Sequence, residues 1–383
     1  MHFTLLTGLL LGIAQAVVVP NHPGPFSVTM RVKALTDHSR TDPLNNSVKR
    51  QVLVSVFSPV PDSTKCSTEV IPYMPPATAA SYGALAQSAG LPADIFSSFQ
   101  LELCNLSNAQ ARRCRGGGKT THRFPLVLFS PGLAESRLLY SVTAKSIAAQ
   151  GYIVVTIDHP YDTEVIEFPD GSVVRSNGTD GMEQQLTEIR AADMSFILSR
   201  LRHLSSSDNP LFRTLPAKVD FTHVLAMGHS LGGAAAAQVL PLDKRFLGGI
   251  DMDGRLFNPV LTSGMRQPFL MLGRERHAEE DATWDSFWKV LRGPEGMVGV
   301  AGTTHASFTD LPALVQALGL PAEAQSRVEQ VLGTAGGSRM QEIVAGVCAG
   351  FFRSVFEGEF WKLLEAIKEF SEVSVRNGSF GGV

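Results

Sequence analysis

The chain has 383 residues, 44% hydrophobic and 18% charged, with 33 Lys and Arg against 36 Asp and Glu for a formal charge of −3. That near-balance excludes binding of nucleic acid or an anionic membrane through bulk charge, and the length fits one large α/β domain with insertions. Any substrate preference has to come from a local site.

In chain order, Leu5 to Ile13 is a short apolar core and Ala14-Gln15-Ala16 an A-x-A pattern, which together predict a secretory signal peptide over residues 1–16. The run breaks too early to span a bilayer, and no later segment reaches that length. Secretion accords with four cysteines (Cys66, Cys104, Cys114, Cys348) and with N-x-S/T sequons at Asn45, Asn105, Asn177 and Asn377. An even cysteine count in an oxidising compartment predicts disulfides, with three possible pairings.

Residues 17–383 are expected to form a single domain. Phe26 to Val32 alternates apolar and polar residues, and Gln51 to Phe57 is rich in β-formers after the turn-like Asp42-Pro43-Leu44-Asn45-Asn46. From about residue 61 to 123 the composition shifts to Pro, Ala, Ser and Gly and includes three of the cysteines, predicting a disulfide-pinned insertion. A regular alternation follows. Strands are predicted at Phe124–Phe129, Tyr152–Ile157, Phe221–Met227, Phe246–Met252, Pro268–Leu272 and Met297–Val300, with helices near Arg137–Gln150, Met182–Leu204 and after Ser230. Short apolar strands separated by helices predict an α/β fold, a mostly parallel central sheet with helices on both faces. From Arg339 to Phe370, Met340, Ile343, Val347, Phe351 and Val355, then Phe360, Leu364, Ile367 and Phe370, recur at helical spacing and are expected to pack on the sheet.

Gly228-His229-Ser230-Leu231-Gly232 places a serine in a G-x-S-x-G frame where a strand ends and a helix begins. Small residues on both sides suit a strained turn that lifts Ser230 clear of the sheet as a nucleophile. Such a serine needs a base, an acid that orients the base, and oxyanion donors, with the acid and base following it in the chain. Only His277 and His305 follow Ser230. His305 lies just beyond the last predicted strand and is expected to be the base, whereas His277 sits in the charged run Arg274–Glu280 and reads as part of a solvated face.

For the acid, Asp251 and Asp253 point to the same side of a strand, so parity leaves both open. Asp253 is nearer the carboxyl end, where catalytic loops gather, and Asp281 is a further alternative. One oxyanion donor is expected to be the N–H of Leu231; Ser130-Pro131-Gly132-Leu133-Ala134 follows an early strand and makes the N–H of Leu133 the second. His159 at a strand end reads as packed or capping, and Arg112, Arg113, Arg115 and Lys119 as a solvated loop. No metal or organic cofactor is implied.

Five blocks in order carry a resemblance to a known family: Leu128-Phe129-Ser130-Pro131-Gly132-Leu133 with Ser136-Arg137 and Tyr140; Gly151 to Val155 leading to Asp158-His159; Gly228 to Gly233; Gly249 to Asp253; and His305 with Phe308 and Asp310. Over about residues 124–310 the chain resembles the platelet-activating-factor acetylhydrolases, the secreted and type II phospholipase A2-like esterases. The resemblance implies an α/β-hydrolase fold, a Ser230–Asp253–His305 triad and oxyanion N–H groups at Leu133 and Leu231. It implies removal of a short sn-2 acyl group from a phospholipid, at a lipid interface or in solution. Two departures stand out: the family's frequent Ser-His-Gly has Pro131 at its centre, and Arg255 replaces a tryptophan after the aspartate. Alternatives with the same residues are a secreted carboxylesterase, lipase or cutinase-like polyester hydrolase, and a non-catalytic binding protein of the same fold.

Overall fold

The computed structural model describes residues 16–61, 66–88, 90–107, 110–111, 123–206 and 215–378. The predicted leader through Gln15, Cys114 and the basic residues Arg112, Arg113, Arg115 and Lys119 lie outside the described residues.

Fourteen strands are described: β1 (Val17–Val18), β2 (Ser27–Asp42), β3 (Asn45–Val60), β4 (Ser67–Pro72), β5 (Phe99–Asn105), β6 (Arg123–Ser130), β7 (Ile153–Asp158), β8 (Val165–Glu167), β9 (Val173–Arg175), β10 (Lys218–His229), β11 (Gly248–Met252), β12 (Phe269–Arg274), β13 (Glu295–Val300) and β14 (Val373–Gly378). Nine of them build the main sheet, in the order β14-β13-β12-β11-β10-β6-β7-β3-β2. The six from β7 to β13 pair in parallel, while β2, β3 and β14 add antiparallel edges. The β2–β3 hairpin is far longer than its sequence pattern suggested, and Asp42 stabilises its turn by accepting the N–H groups of Leu44 and Asn45. The strand β14 was not foreseen: most of its residues are exposed, so its sequence carries little apolar periodicity and only pairing with β13 defines it.

Period-two alternation divides the core between the sheet's faces. Val127 and Phe129 of β6 and Leu225 and Met227 of β10 face one side, against the helices α2 (Ser141–Ala149), α5 (Gly337–Glu357) and α6 (Trp361–Lys368). Leu126, Leu128, Val224 and Ala226 face the other, against α3 (Glu183–Ser206) and α4 (Leu231–Leu242). Met340, Ile343, Val347 and Phe351 are buried in the first core, so the C-terminal helical spacing reflects packing on the sheet. Each such apolar side chain contributes roughly 1.5–3 kcal/mol. No helix among the described residues is long and apolar enough to cross a membrane.

The segment after β3 forms a three-stranded sheet, β1-β5-β4, with the helix α1 (Pro76–Ser88). Cys66 is bonded to Cys104, which ties the start of β4 to β5 inside the insertion. The sequence-based expectation of fully paired cysteines fails at Cys348, a free thiol buried within α5, where the sheet core and not a second sulfur surrounds it.

Candidate active site

Along the parallel sheet the chain leaves β6 toward β7 on one side and returns to β10 on the other, so β6 and β10 flank a topological switch point. Loops at the carboxyl ends of the strands open there into a crevice. Ser130 ends β6, Ser230 follows β10, Asp253 follows β11 and His305 follows β13. All four therefore gather at one end of the sheet.

Ser230 has φ 53° and ψ −125°, a conformation costly for a non-glycine residue. It is held there by its own N–H, which donates to Met252 O at 2.9 Å, and by its carbonyl, which accepts from Gly233 N at 2.9 Å. The glycines are required by close approach. A Cβ on Gly232 would lie 1.9 Å from Ser130 O and 2.4 Å from Pro131 O, so the first turn of α4 rests directly on the backbone of the Ser130–Leu133 loop. Leu231 opens α4, where N–H groups have no partner within the helix and the helix end favours negative charge. Side chains of Leu133 and Leu231 share one apolar cluster with Leu186 and Ile189, which brings the two expected oxyanion residues together.

Asp253 is fully buried and also strained, at φ 55°. Its Oδ2 accepts from His305 Nδ1 at 2.6 Å and Arg274 Nη1 at 3.1 Å, and its Oδ1 from His277 Nδ1 at 2.7 Å and Arg274 N at 2.9 Å. Burial opposes ionisation, but the hydrogen bonds from His277 and His305 outweigh it and hold the carboxyl far below its ordinary range. The alternatives considered for the acid lie elsewhere. Asp251 is buried under the elbow, accepts Gly254 N at 3.0 Å, and is pushed well above the ordinary carboxylate range by burial. Asp281 accepts Thr283 N at the start of a short helix.

His277 corrects the sequence reading. It is buried, not part of a solvated face, and packs against Trp284 with 4.2 Å between ring centroids and the rings tilted by 36°. Burial disfavours its charge, yet the hydrogen bond to Asp253 and the Asp281 carboxylate 3.5 Å from its Nε2 push its pKa up to about 9, so an imidazolium sits on the far oxygen of Asp253 at neutral pH. The charged neighbours in sequence hid this, because charge density in a short segment says nothing about which side chain turns inward.

His305 is half-exposed and rests on His229 with ring centroids 4.5 Å apart, while its carbonyl oxygen bonds His229 Nε2 at 3.1 Å. His229 Nδ1 in turn meets Tyr140 Oη at 2.7 Å. Asp310 anchors the far end of the His305 loop by accepting the N–H groups of Val142 and Thr143 at the start of α2 and the hydroxyls of Thr143 and Tyr73. Arg137 pairs with Asp158 in the same buried layer. Several residues of the shared sequence blocks thus support the crevice and do not line it.

A second Ser–His–Asp relay lies behind the loop. Ser130 Oγ meets His159 Nε2 at 3.0 Å, and His159 Nδ1 meets Asp193 Oδ2 at 2.9 Å. All three are fully buried, and Asp193 is already bound by Arg50 and Arg40. Ser130 is an ordinary strand residue with no access for a substrate, so this relay is structural. Sequence reasoning missed Arg50, Asp162, Arg190 and Asp193; the available signal was two charges, Arg190 and Asp193, interrupting the apolar stripe Leu186, Met194, Ile197, Leu201 of α3. Among the described residues, no His, Cys, Asp or Glu cluster could hold a metal ion.

An elbow serine at the switch point of a parallel sheet, with a histidine–aspartate pair arriving from later strands, defines the α/β-hydrolase class. The family model for platelet-activating factor acetylhydrolase, isoform II, matches residues 11–168 and 183–329, and the chain belongs to that family. A probable 1-alkyl-2-acetylglycerophosphocholine esterase of Arthroderma benhamiae is 28% identical over 361 residues, 89% of each chain. The platelet-activating factor acetylhydrolase of Cavia porcellus is 27% identical over half of each chain. Among solved structures, a ferulic acid esterase from Streptomyces cinnamoneus matches with a TM-score of 0.74 and 26% identity, covering 94% of this chain and all of that one.

Proposed function

We propose that the protein is a secreted serine esterase that removes the acetyl or another short sn-2 acyl group from platelet-activating-factor-like phospholipids. The observation that carries this reading is the 2.6 Å bond between Asp253 and His305, placed at the same sheet end as the strained Ser230. In the proposed cycle Ser230 Oγ attacks the ester carbonyl carbon and its proton passes to His305 Nε2, while Asp253 holds the ring by Nδ1–H and stabilises the imidazolium. The oxyanion takes hydrogen bonds from the N–H groups of Leu133 and Leu231. Collapse breaks the ester bond, and the lysophospholipid leaves with the proton from His305. Water then attacks the acyl-enzyme with His305 again as base, releasing the carboxylic acid and restoring Ser230. The Cys66–Cys104 bridge supports an oxidising compartment.

A second reading, an esterase for other carboxylic esters, draws on the likeness to the ferulic acid esterase over nearly the whole chain. Covalent labelling by a fluorophosphonate, lost in Ser230→Ala, tests the nucleophile. Comparing sn-2 acetyl and long-chain phospholipids with p-nitrophenyl and hydroxycinnamate esters separates the readings. Absence of labelling in the folded wild type refutes both, and equal rates on acetyl and long-chain lipids refute the first.

A further inference from the structure

We infer that the buried Arg190–Asp162 ion pair aims the Leu133 N–H at the reacting oxygen, which makes Arg190 a positioning residue for ester hydrolysis. The inference rests on the reading of Ser230 as nucleophile. Arg190 projects from α3 and is fully buried. Its Nε and Nη2 bind the Asp162 carboxylate at 2.6 and 2.8 Å. Its remaining reach goes to the loop after β6: Nη1 donates to Pro131 O at 2.5 Å and Nη2 to Gly132 O at 3.0 Å. Asp162 already neutralises the guanidinium, so charge pairing alone does not require the two carbonyl contacts.

Those contacts decide where one amide points. The Gly132–Leu133 peptide is trans, so its C=O and N–H point in opposite directions. With Gly132 O drawn onto Arg190, the Leu133 N–H faces away from α3. On the other side of Leu133 the backbone is held by Ala134 itself. Ala134 is held at φ 60°, and its carbonyl accepts from Glu164 N at 2.9 Å. Neighbouring amides are committed elsewhere: Gly132 N to Glu135 Oε2 and Tyr140 Oη at 3.1 Å each, Glu135 N to Gly132 O, and Ser136 N to Tyr82 Oη. The ion pair thus orients the peptide that carries the Leu133 N–H, with Ala134 O fixed separately by Glu164 N, and leaves that N–H available to a ligand. One turn further along α3, Asp193 fixes His159 against Ser130, so the same helix holds the loop at its root as well.

The test uses Arg190→Lys, which keeps the charge but not the fork, and Asp162→Asn, which keeps the shape but not the charge, each checked for folding by thermal denaturation. In both, kcat on an ester the wild type hydrolyses should fall about 100-fold with KM within about twofold, the loss typical of one misplaced oxyanion donor. The hemiketal formed by a ¹³C-labelled trifluoromethyl ketone should ionise at least about one pH unit higher than in the wild type, a change that a purely structural role does not produce. In the wild type itself, adduct formation should move the Leu133 amide proton downfield and leave Gly132 in place, which decides the matter if neither variant folds. Folded variants with wild-type kcat and hemiketal ionisation overturn the inference, as does a wild-type adduct that shifts Gly132 and not Leu133. A wild type that hydrolyses no ester and forms no adduct instead removes the catalytic reading beneath it.

Discussion

Replacing His277 by asparagine takes a positive charge off the far oxygen of Asp253 while leaving an amide N–H able to donate there. In the wild type the carboxylate is shared by His277, His305 and Arg274, with Asp251 and Asp281 the other carboxylates facing His277. The His277 imidazolium opposes formation of a second one at His305. Two such charges on opposite oxygens of one carboxylate, roughly 6 Å apart, repel by about 0.7 kcal/mol at the dielectric of water and about 3 kcal/mol at an effective dielectric of 20. His305 is 46% exposed, so the interaction belongs between those limits. One pH unit corresponds to about 1.4 kcal/mol, and the acid limb of the kcat/KM profile should therefore move up by about one unit in His277→Asn. Stopped-flow or pH-stat rates from pH 4 to 10 at two ionic strengths measure it, and the displacement should shrink in high salt. An unmoved acid limb in the folded variant would refute a charged His277 coupled to the base.

The same histidine predicts a stability profile. Its pKa is raised from 6.5 to about 9 on folding, so its stabilisation is complete below about pH 6.5 and is lost as pH rises through 9. Urea titrations should show a loss of about 3 kcal/mol over that window that is absent in His277→Asn. The two neighbouring aspartates should separate cleanly in steady-state kinetics: Asp253→Asn lowers kcat by about 10⁴-fold, whereas Asp251→Asn, replacing a carboxyl whose ionisation burial opposes and which does not touch His305, stays within about tenfold of wild type. Gly232→Ala drives a methyl onto Ser130 O and Pro131 O, and should cost more than about 3 kcal/mol in denaturant unfolding or leave no soluble enzyme. Opening the Cys66–Cys104 bridge by double serine substitution frees a loop with a sequence separation of 38 and should lower stability by about 3–4 kcal/mol, with kcat unchanged because the bridge lies within the insertion.

Much of the architecture is legible in the sequence because it is written in short-range patterns. Apolar runs at β6, β7 and β10 to β13 mark strands buried on both faces, and the small residues around Ser230 mark a turn that nothing larger could occupy. Chain order then leaves few candidates for base and acid. Partners that depend on where a side chain turns, or on strands far apart in sequence, escaped that reading. His277 looked solvated among charged neighbours, β14 looked like loop, and Cys348 looked like half of a bridge.

By itself, then, the sequence determined the doubly covered sheet, the elbow, and the order in which a serine, an acid and a histidine arrive at it. The tertiary structure decided which charges work together: Asp253 between two histidines, Asp251 alone beneath the elbow, and Arg190 reaching 58 residues back in the chain to the Gly132 carbonyl. The physical reason is burial. A hydrophobic period is a local property of a strand or helix, whereas a buried charge can persist only with a partner, and the fold alone determines which partner comes within reach.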